Sequence, residues 1–206
     1  TDTASFDMPF LLGADISFVQ EQEDKGVIFT DNGEEGDILD ILKSYGFNAI
    51  RLRIFHDPGQ PNGYQFAWAQ RTEPYCDLVH TVQMAHRIKK ADMYFMLNFH
   101  YSDTWADPGS QIKPALWSEL SFVELTAALY EYTRDVLSAF RAEGCLPNLV
   151  QLGNEITAGI LFPDGQTYPS DNWEKPAELL ISAARAVRDV DPGIRIVLHL
   201  DKGGDN

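Results

Sequence analysis

The chain has 206 residues, 44% of them apolar, and a formal net charge of −15 at pH 7. This supports one sizeable core, no apolar run approaches the roughly 20 residues of a membrane span, and the acidity argues against nucleic acid, whose phosphates call for clustered Lys and Arg. Cys76 and Cys145 are too few and too far apart for a disulfide framework or a zinc site, so two unpaired buried thiols are expected, with no metal and no cofactor.

Thr1 to Pro9 has neither the basic start nor the apolar stretch of a secretory signal. It reads as a mature or trimmed N-terminus, so the lack of a signal does not argue for the cytoplasm. Phe10 to Ile16 is the first predicted strand, leading into Gly13-Ala14-Asp15-Ile16-Ser17. The acidic run Glu21-Gln22-Glu23-Asp24 lacks the alternating carboxylates and glycine of a calcium loop and reads as a solvated turn. Asp37 to Tyr45 then places Ile38, Leu39, Ile41, Leu42 and Tyr45 at helical spacing, stopped by Gly46. Phe47 to Phe55 is a second strand, whose period of two puts Arg51 and Arg53 on one face. Asp77 is the N-cap of a helix with the stripe Leu78, Val82, Ala85 and Ile88. Met93 to Phe99 is the third strand. Ser121 and Glu124 form a capping-box pattern opening a long helix to about Glu143, ended by Gly144 and Pro147. Leu149 to Leu152 is the fourth strand. Pro176 opens a helix with Leu179, Leu180, Ala183, Val187 and Val190 on one face, and Ile194 to Leu200 is the fifth strand.

Strands alternating with helices imply a parallel sheet with right-handed crossovers. A doubly wound sheet usually carries a Gly-rich phosphate loop after its first strand, and none follows Gly13-Ala14-Asp15. Long polar and aromatic loops after each strand fit the upper face of a (β/α)8 TIM barrel. The expectation is one catalytic barrel domain over residues 1–206, supplied as about its first five strands. The remaining strands are expected in a longer parent protein.

The strand ends carry the chemistry. Leu149-Val150-Gln151-Leu152-Gly153-Asn154-Glu155 is an apolar run delivering an amide and a carboxylate to the barrel rim. Asp15 and Ser17 follow strand one, Arg51 and Arg53 lie on strand two, His100 closes strand three, and His199 and Asp201 close strand five. An acid beside Arg, His and Asn is equipment for protonating a leaving oxygen and holding sugar hydroxyls. Trp105, Trp117 and Trp173 lie in loops or at helix entries, where aromatic faces stack on sugar rings. Trp105 is expected to wall the pocket beside Glu155.

With these residues in view, the chain resembles the endo-β-1,4-galactanases of glycoside hydrolase family 53. The resemblance rests on Gly13-Ala14-Asp15-Ile16-Ser17, Phe47 to Arg53, His100-Tyr101-Ser102-Asp103-Thr104-Trp105-Ala106-Asp107-Pro108, Gly153-Asn154-Glu155 and Leu198-His199-Leu200-Asp201. It implies Glu155 as acid/base and Asn154 as partner of the sugar 2-hydroxyl. Trp105 and Asp201 would line the galactose subsites at the cleavage point, with Arg53 and His100 as polar residues around them. Asp15, His199 and Trp117 complete the expected substrate-binding set. The implied activity is retaining hydrolysis of β-1,4-galactan from pectic arabinogalactan by a secreted or cell-surface protein. Two departures stand out. Asn98 occupies a position where the family usually has an acid, and the nucleophile, a Glu ending the seventh strand, is not in this chain. A non-catalytic galactan-binding protein and a related glycosidase acting on mannan or glucan are the alternatives.

Overall fold

The computed structural model describes residues 8–67, 71–169 and 171–202. Thr1–Asp7 and the Gly203–Asn206 tail, on which expectations for the two termini rested, lie outside them. Five strands form the main sheet: β1 (Gly13–Asp15), β2 (Ala49–Ile54), β3 (Tyr94–Phe99), β4 (Leu149–Leu152) and β5 (Arg195–Val197). Every pairing is parallel, and strands consecutive in the chain are neighbours in the sheet. The order never reverses, so among the described residues there is no switch point of the kind a doubly wound sheet requires. Helices α1 (Val19–Asp24) and α2 (Ile38–Ser44) connect β1 to β2. Single helices α3 (Leu78–Lys90), α4 (Phe122–Ala142) and α5 (Glu174–Val190) make the next three crossovers.

Strand periodicity sorts the side chains. Ile50, Leu52 and Ile54 of β2, Phe95, Leu97 and Phe99 of β3, and Val150 and Leu152 of β4 are all at most 2% exposed. They form one core with Met84, Ala85 and Ile88 of α3, Leu129, Leu137 and Phe140 of α4, and Leu179, Ala183 and Val187 of α5. Full burial of each such large side chain contributes about 1.5–3 kcal/mol. The opposite face carries the polar residues in rows. Asp15 pairs with Arg51 and Arg51 with Met96; in the next row Arg53 pairs with Asn98 and Asn98 with Gln151. One face thus builds the core while the other builds the site.

The helix starts follow their caps. Asp37 and Asp77 accept from the backbone N–H of Leu39 and His80 at 2.8 Å each, and the Ser121–Glu124 capping box is complete. Helix α5 begins two residues before Pro176, which its unpaired first turn tolerates.

Three expectations are corrected. The outer strands are shorter than the apolar runs Phe10–Ile16 and Ile194–Leu200, because each has a single neighbour in the sheet and Phe10, Leu198 and Leu200 lie exposed. The acidic run at Glu21 is not a solvated turn: it is α1, with Glu21 buried and ion-paired to Arg71 and Lys25 at 2.8 and 2.7 Å. The polar loop beyond it contains a two-stranded ribbon, Thr30–Asp31 against Glu34–Glu35, turning on Asn32-Gly33, both at positive φ. Cys76 and Cys145 are free and buried as expected. Burial pushes the Cys76 thiol up to about 11, which makes it a packing group.

Candidate active site

The C-terminal end of β4 makes an abrupt turn. Gly153 has φ +78°, and a Cβ there would meet Ile156 Cγ2 at 2.5 Å, so only glycine fits. Two residues on, Glu155 itself adopts a left-handed conformation, φ 52° and ψ 52°. That backbone costs a non-glycine residue roughly 1–2 kcal/mol. Strain at a strand-end carboxylate is a mark of a constrained functional position.

Arg51 ties the strand ends together. Its Nη1 pairs with Asp15 Oδ2, its Nε donates to Gln151 Oε1 at 3.1 Å, and its Nη2 donates to Asn154 Oδ1 at 2.7 Å. Asn154 is fixed further by donating from Nδ2 to the Ala106 carbonyl at 2.8 Å, and Gln111 Nε2 donates to the Asn154 carbonyl at 2.8 Å. Asp15 Oδ1 accepts from the Ser17 hydroxyl at 2.7 Å, and that hydroxyl in turn accepts from the Arg53 backbone N–H at 2.8 Å. The sequence placed Arg51 with Arg53 among the strand-end residues, but it did not select Gln151 or Gln111 for the site. For Gln151 the available signal was strand parity, which places it on the face of Arg51, Arg53 and Asn98.

His199 closes the arrangement from β5's side. Its Nδ1 lies 3.2 Å from Asn154 Oδ1 and 3.4 Å from the Glu155 backbone N. The first contact requires a proton on Nδ1 and the second its absence, so the tautomer selects between them. His100 is buried, and its Nδ1 accepts from the Ala106 N–H at 3.1 Å. Burial, aided by the charges of Arg53 and Arg51 and by His199, holds the His100 imidazole well below its ordinary pKa and therefore neutral.

Trp105 is 36% exposed, at the rim and outside the core. Arg53 lies over its ring, 4.1 Å from the centroid, and Phe55, Tyr64 and His100 meet it edge-on. Asp201 is exposed; its backbone N–H donates to Thr157 Oγ1 at 3.1 Å, and the Thr157 side chain draws its carboxyl below the ordinary carboxylate value. A cleft of about 550 Å³ opens between these loops, lined by Pro108, Thr157, Tyr168, Asp171, Asp201 and Lys202 among others. Trp117 departs from the expected sugar-facing set. It is 3% exposed and packs edge-on against His56 and Tyr132, locking the loop after β3. Glu155, Asn154, Arg53, Asp15, His100 and His199 all lie at or beside the C-terminal edge of one sheet. Among the described residues no group of three or more His, Cys, Asp and Glu side chains is placed to hold a metal ion.

Fold and site together define a barrel-type α/β protein with its polar chemistry at the C-terminal rim of a parallel sheet. Residues 11–206 match the model of Glycosyl hydrolase family 53. The chain is 42% identical over 203 residues to the "uncharacterized protein in bgaB 5′ region" of Niallia circulans, covering 96% of this chain and 52% of that one. It is 37% identical over 198 residues to the arabinogalactan endo-beta-1,4-galactanase of Cellvibrio japonicus, covering 93% and 50%. The Ignisphaera aggregans GH53 catalytic domain superposes with a TM-score of 0.83 at 40% identity, covering 94% of this chain and 52% of that one. The chain belongs to glycosyl hydrolase family 53, and its five parallel strands with the helices between them are those of a (β/α)8 barrel. It spans about half the length of the curated relatives it matches.

Proposed function

We propose that this chain forms part of a single catalytic barrel domain of an endo-acting glycoside hydrolase that cleaves β-1,4-galactan with retention of configuration. The observation that carries this reading is the Arg51-anchored Asn154-Glu155 pair at the end of β4. Glu155 protonates the departing glycosidic oxygen and then takes a proton from water. Asn154, oriented from Arg51 and Ala106, meets the sugar 2-hydroxyl. Trp105 supplies an aromatic wall, and Arg53, His100, Asp15, His199 and Asp201 surround the sugar. Retaining chemistry needs a second carboxylate about 5 Å from the first, and we assign it to a glutamate outside residues 1–206. The galactanase relative in Cellvibrio japonicus supports galactan as substrate, and a pectic polymer too large to import places the protein outside the cell or on its surface. No helix among the described residues is long and apolar enough to cross a membrane.

The test is release of reducing sugar from β-1,4-galactan by a longer protein that contains this chain. Glu155→Gln should lower turnover by about 10²–10⁴-fold, the usual contribution of a general acid, while galacto-oligosaccharide binding persists. Unchanged turnover in that variant overturns the role of Glu155. Galactan binding without hydrolysis is the second reading, favoured by Asn98, an amide on the site face where the resemblance implies an acid. Binding by the longer protein with no product would establish it.

A further inference from the structure

Glu155 keeps a left-handed backbone, which a residue with a Cβ holds only where its surroundings over-determine it. Its φ and ψ are the rotations between two peptide planes, so whatever fixes those planes fixes the direction of its Cα–Cβ bond. The plane after Glu155 is held by main chain: the Ile156 N–H donates to the His199 carbonyl at 2.9 Å. The plane before it has two poles. At one, the Glu155 N–H faces His199 Nδ1 at 3.4 Å, a long contact that exists in one tautomer of the ring. At the other, the Asn154 carbonyl accepts from Gln111 Nε2 at 2.8 Å, a bond that no tautomer interrupts. The Asp107 carbonyl accepts from the same atom at 3.0 Å. Two carbonyl acceptors identify that atom as the NH2 nitrogen, since a flipped amide would set oxygen against both.

Gln111 is itself held from the β4 side. It is 2% exposed, its carbonyl accepts from the Phe162 N–H at 2.7 Å, and Ile112 forms a parallel bridge with Phe162. Next to it, Lys113 Nζ pairs with Asp164 Oδ2 at 2.8 Å. The loop after β3 and the loop after β4 are thereby tied together, and Gln111 is the side chain through which the first grips the peptide in front of Glu155. Burial strengthens such a bond, because the low local dielectric raises its electrostatic part. We propose that Gln111 is a positioning residue for the acid/base: its Nε2 sets the Asn154–Glu155 peptide plane and so aims the Glu155 carboxyl at the glycosidic oxygen.

This inference rests on the reading of Glu155 as general acid, and the test separates the two. It uses a longer protein that contains this chain and two substrates: galactotetraose, whose departing sugar oxygen needs a proton, and a dinitrophenyl β-galactobioside, whose phenolate departs without one. Gln111→Met keeps the length of the side chain and removes both donations. It should lower kcat/KM for galactotetraose by at least ~10-fold more than for the aryl glycoside, because a misaimed acid forfeits part of the roughly 10²–10⁴-fold that general acid catalysis supplies. An equal loss on both substrates, or no loss on either, overturns the inference. Should Gln111→Met fail to fold, Gln111→Asn decides by the same comparison, since it keeps the buried amide and draws its donor back by one C–C bond, about 1.5 Å. Glu155→Gln is the reference. A selective loss there with an unselective one at Gln111 overturns this inference alone; an unselective loss at Glu155→Gln removes Glu155 as the acid, and the inference with it.

Discussion

Arg51 has partners on both flanking regions of the sheet: Asp15 on β1, Gln151 on β4, and Asn154 just past it. Only a planar, multi-donor group does this; a lysine ammonium is a compact point charge that cannot reproduce the fork. Arg51→Lys is therefore expected to lower stability by about 1.5–3 kcal/mol, the range for hydrogen bonds to a charged group, read as a lower midpoint in urea. An unchanged midpoint would remove Arg51 as the tie between strands. Trp105 makes the opposite kind of contribution, because it is part-exposed and Arg53 occupies a face of its ring. Trp105→Ala should weaken galacto-oligosaccharide binding by about 1 kcal/mol, the scale of an aromatic stacking contact. Calorimetry measures that loss, and unaltered affinity would place the sugar elsewhere.

Among the elements, α4 shows how far local signals carry. Its capping box is complete, and its apolar stripe packs Leu125, Leu129, Leu137 and Phe140 into the core. Ser121→Ala should cost about 1 kcal/mol, as loss of a serine N-cap typically does, and appear as a lower Tm; no change would mean that packing alone sets the helix start. Strands β2, β3 and β4 were legible for a related reason: a strand with neighbours on both sides and a covered outer face reads as an apolar run. The strand-end acid, amide, arginines and histidines were legible with them, since parallel strands place their ends on one rim. What failed had long-range causes. Glu21 is buried because Arg71, 50 positions away in sequence, neutralises it, and Trp117 is buried because His56 and Tyr132 from other elements meet it. The ribbon at Thr30–Glu35 carries a local signal, since Asn-Gly favours the positive φ values of a tight hairpin, but its two-residue strands are too short to stand out from the surrounding polar loop.

At the scale of the whole molecule, pH acts through opposed effects. A net charge of −15 means that mild acid relieves self-repulsion and so favours the compact state. Two buried groups act the other way. His100 is held below its ordinary value of 6.5 by burial and the neighbouring arginines. The unfolded chain then binds a proton that the folded chain refuses, so the stability His100 provides is complete above pH 6.5 and falls as pH drops below it towards the folded value. Burial alone would raise the Glu21 carboxyl, but its hydrogen bonds from Lys25 and Arg71 prevail and hold it below 4.5. Its contribution is present above that pH and is lost as pH falls through the lowered folded value. The acid limb therefore has two steps, a His100 step beginning near pH 6.5 and a Glu21 step beginning near 4.5. His100→Asn keeps an acceptor for the Ala106 N–H and removes the titrating ring. The difference in unfolding free energy between wild type and this variant cancels the global charge term common to both. It should therefore fall steadily as pH decreases from 6.5 to 5 and stay flat between 7 and 8. A difference constant across that whole range would show that His100 titrates alike in the folded and unfolded chains.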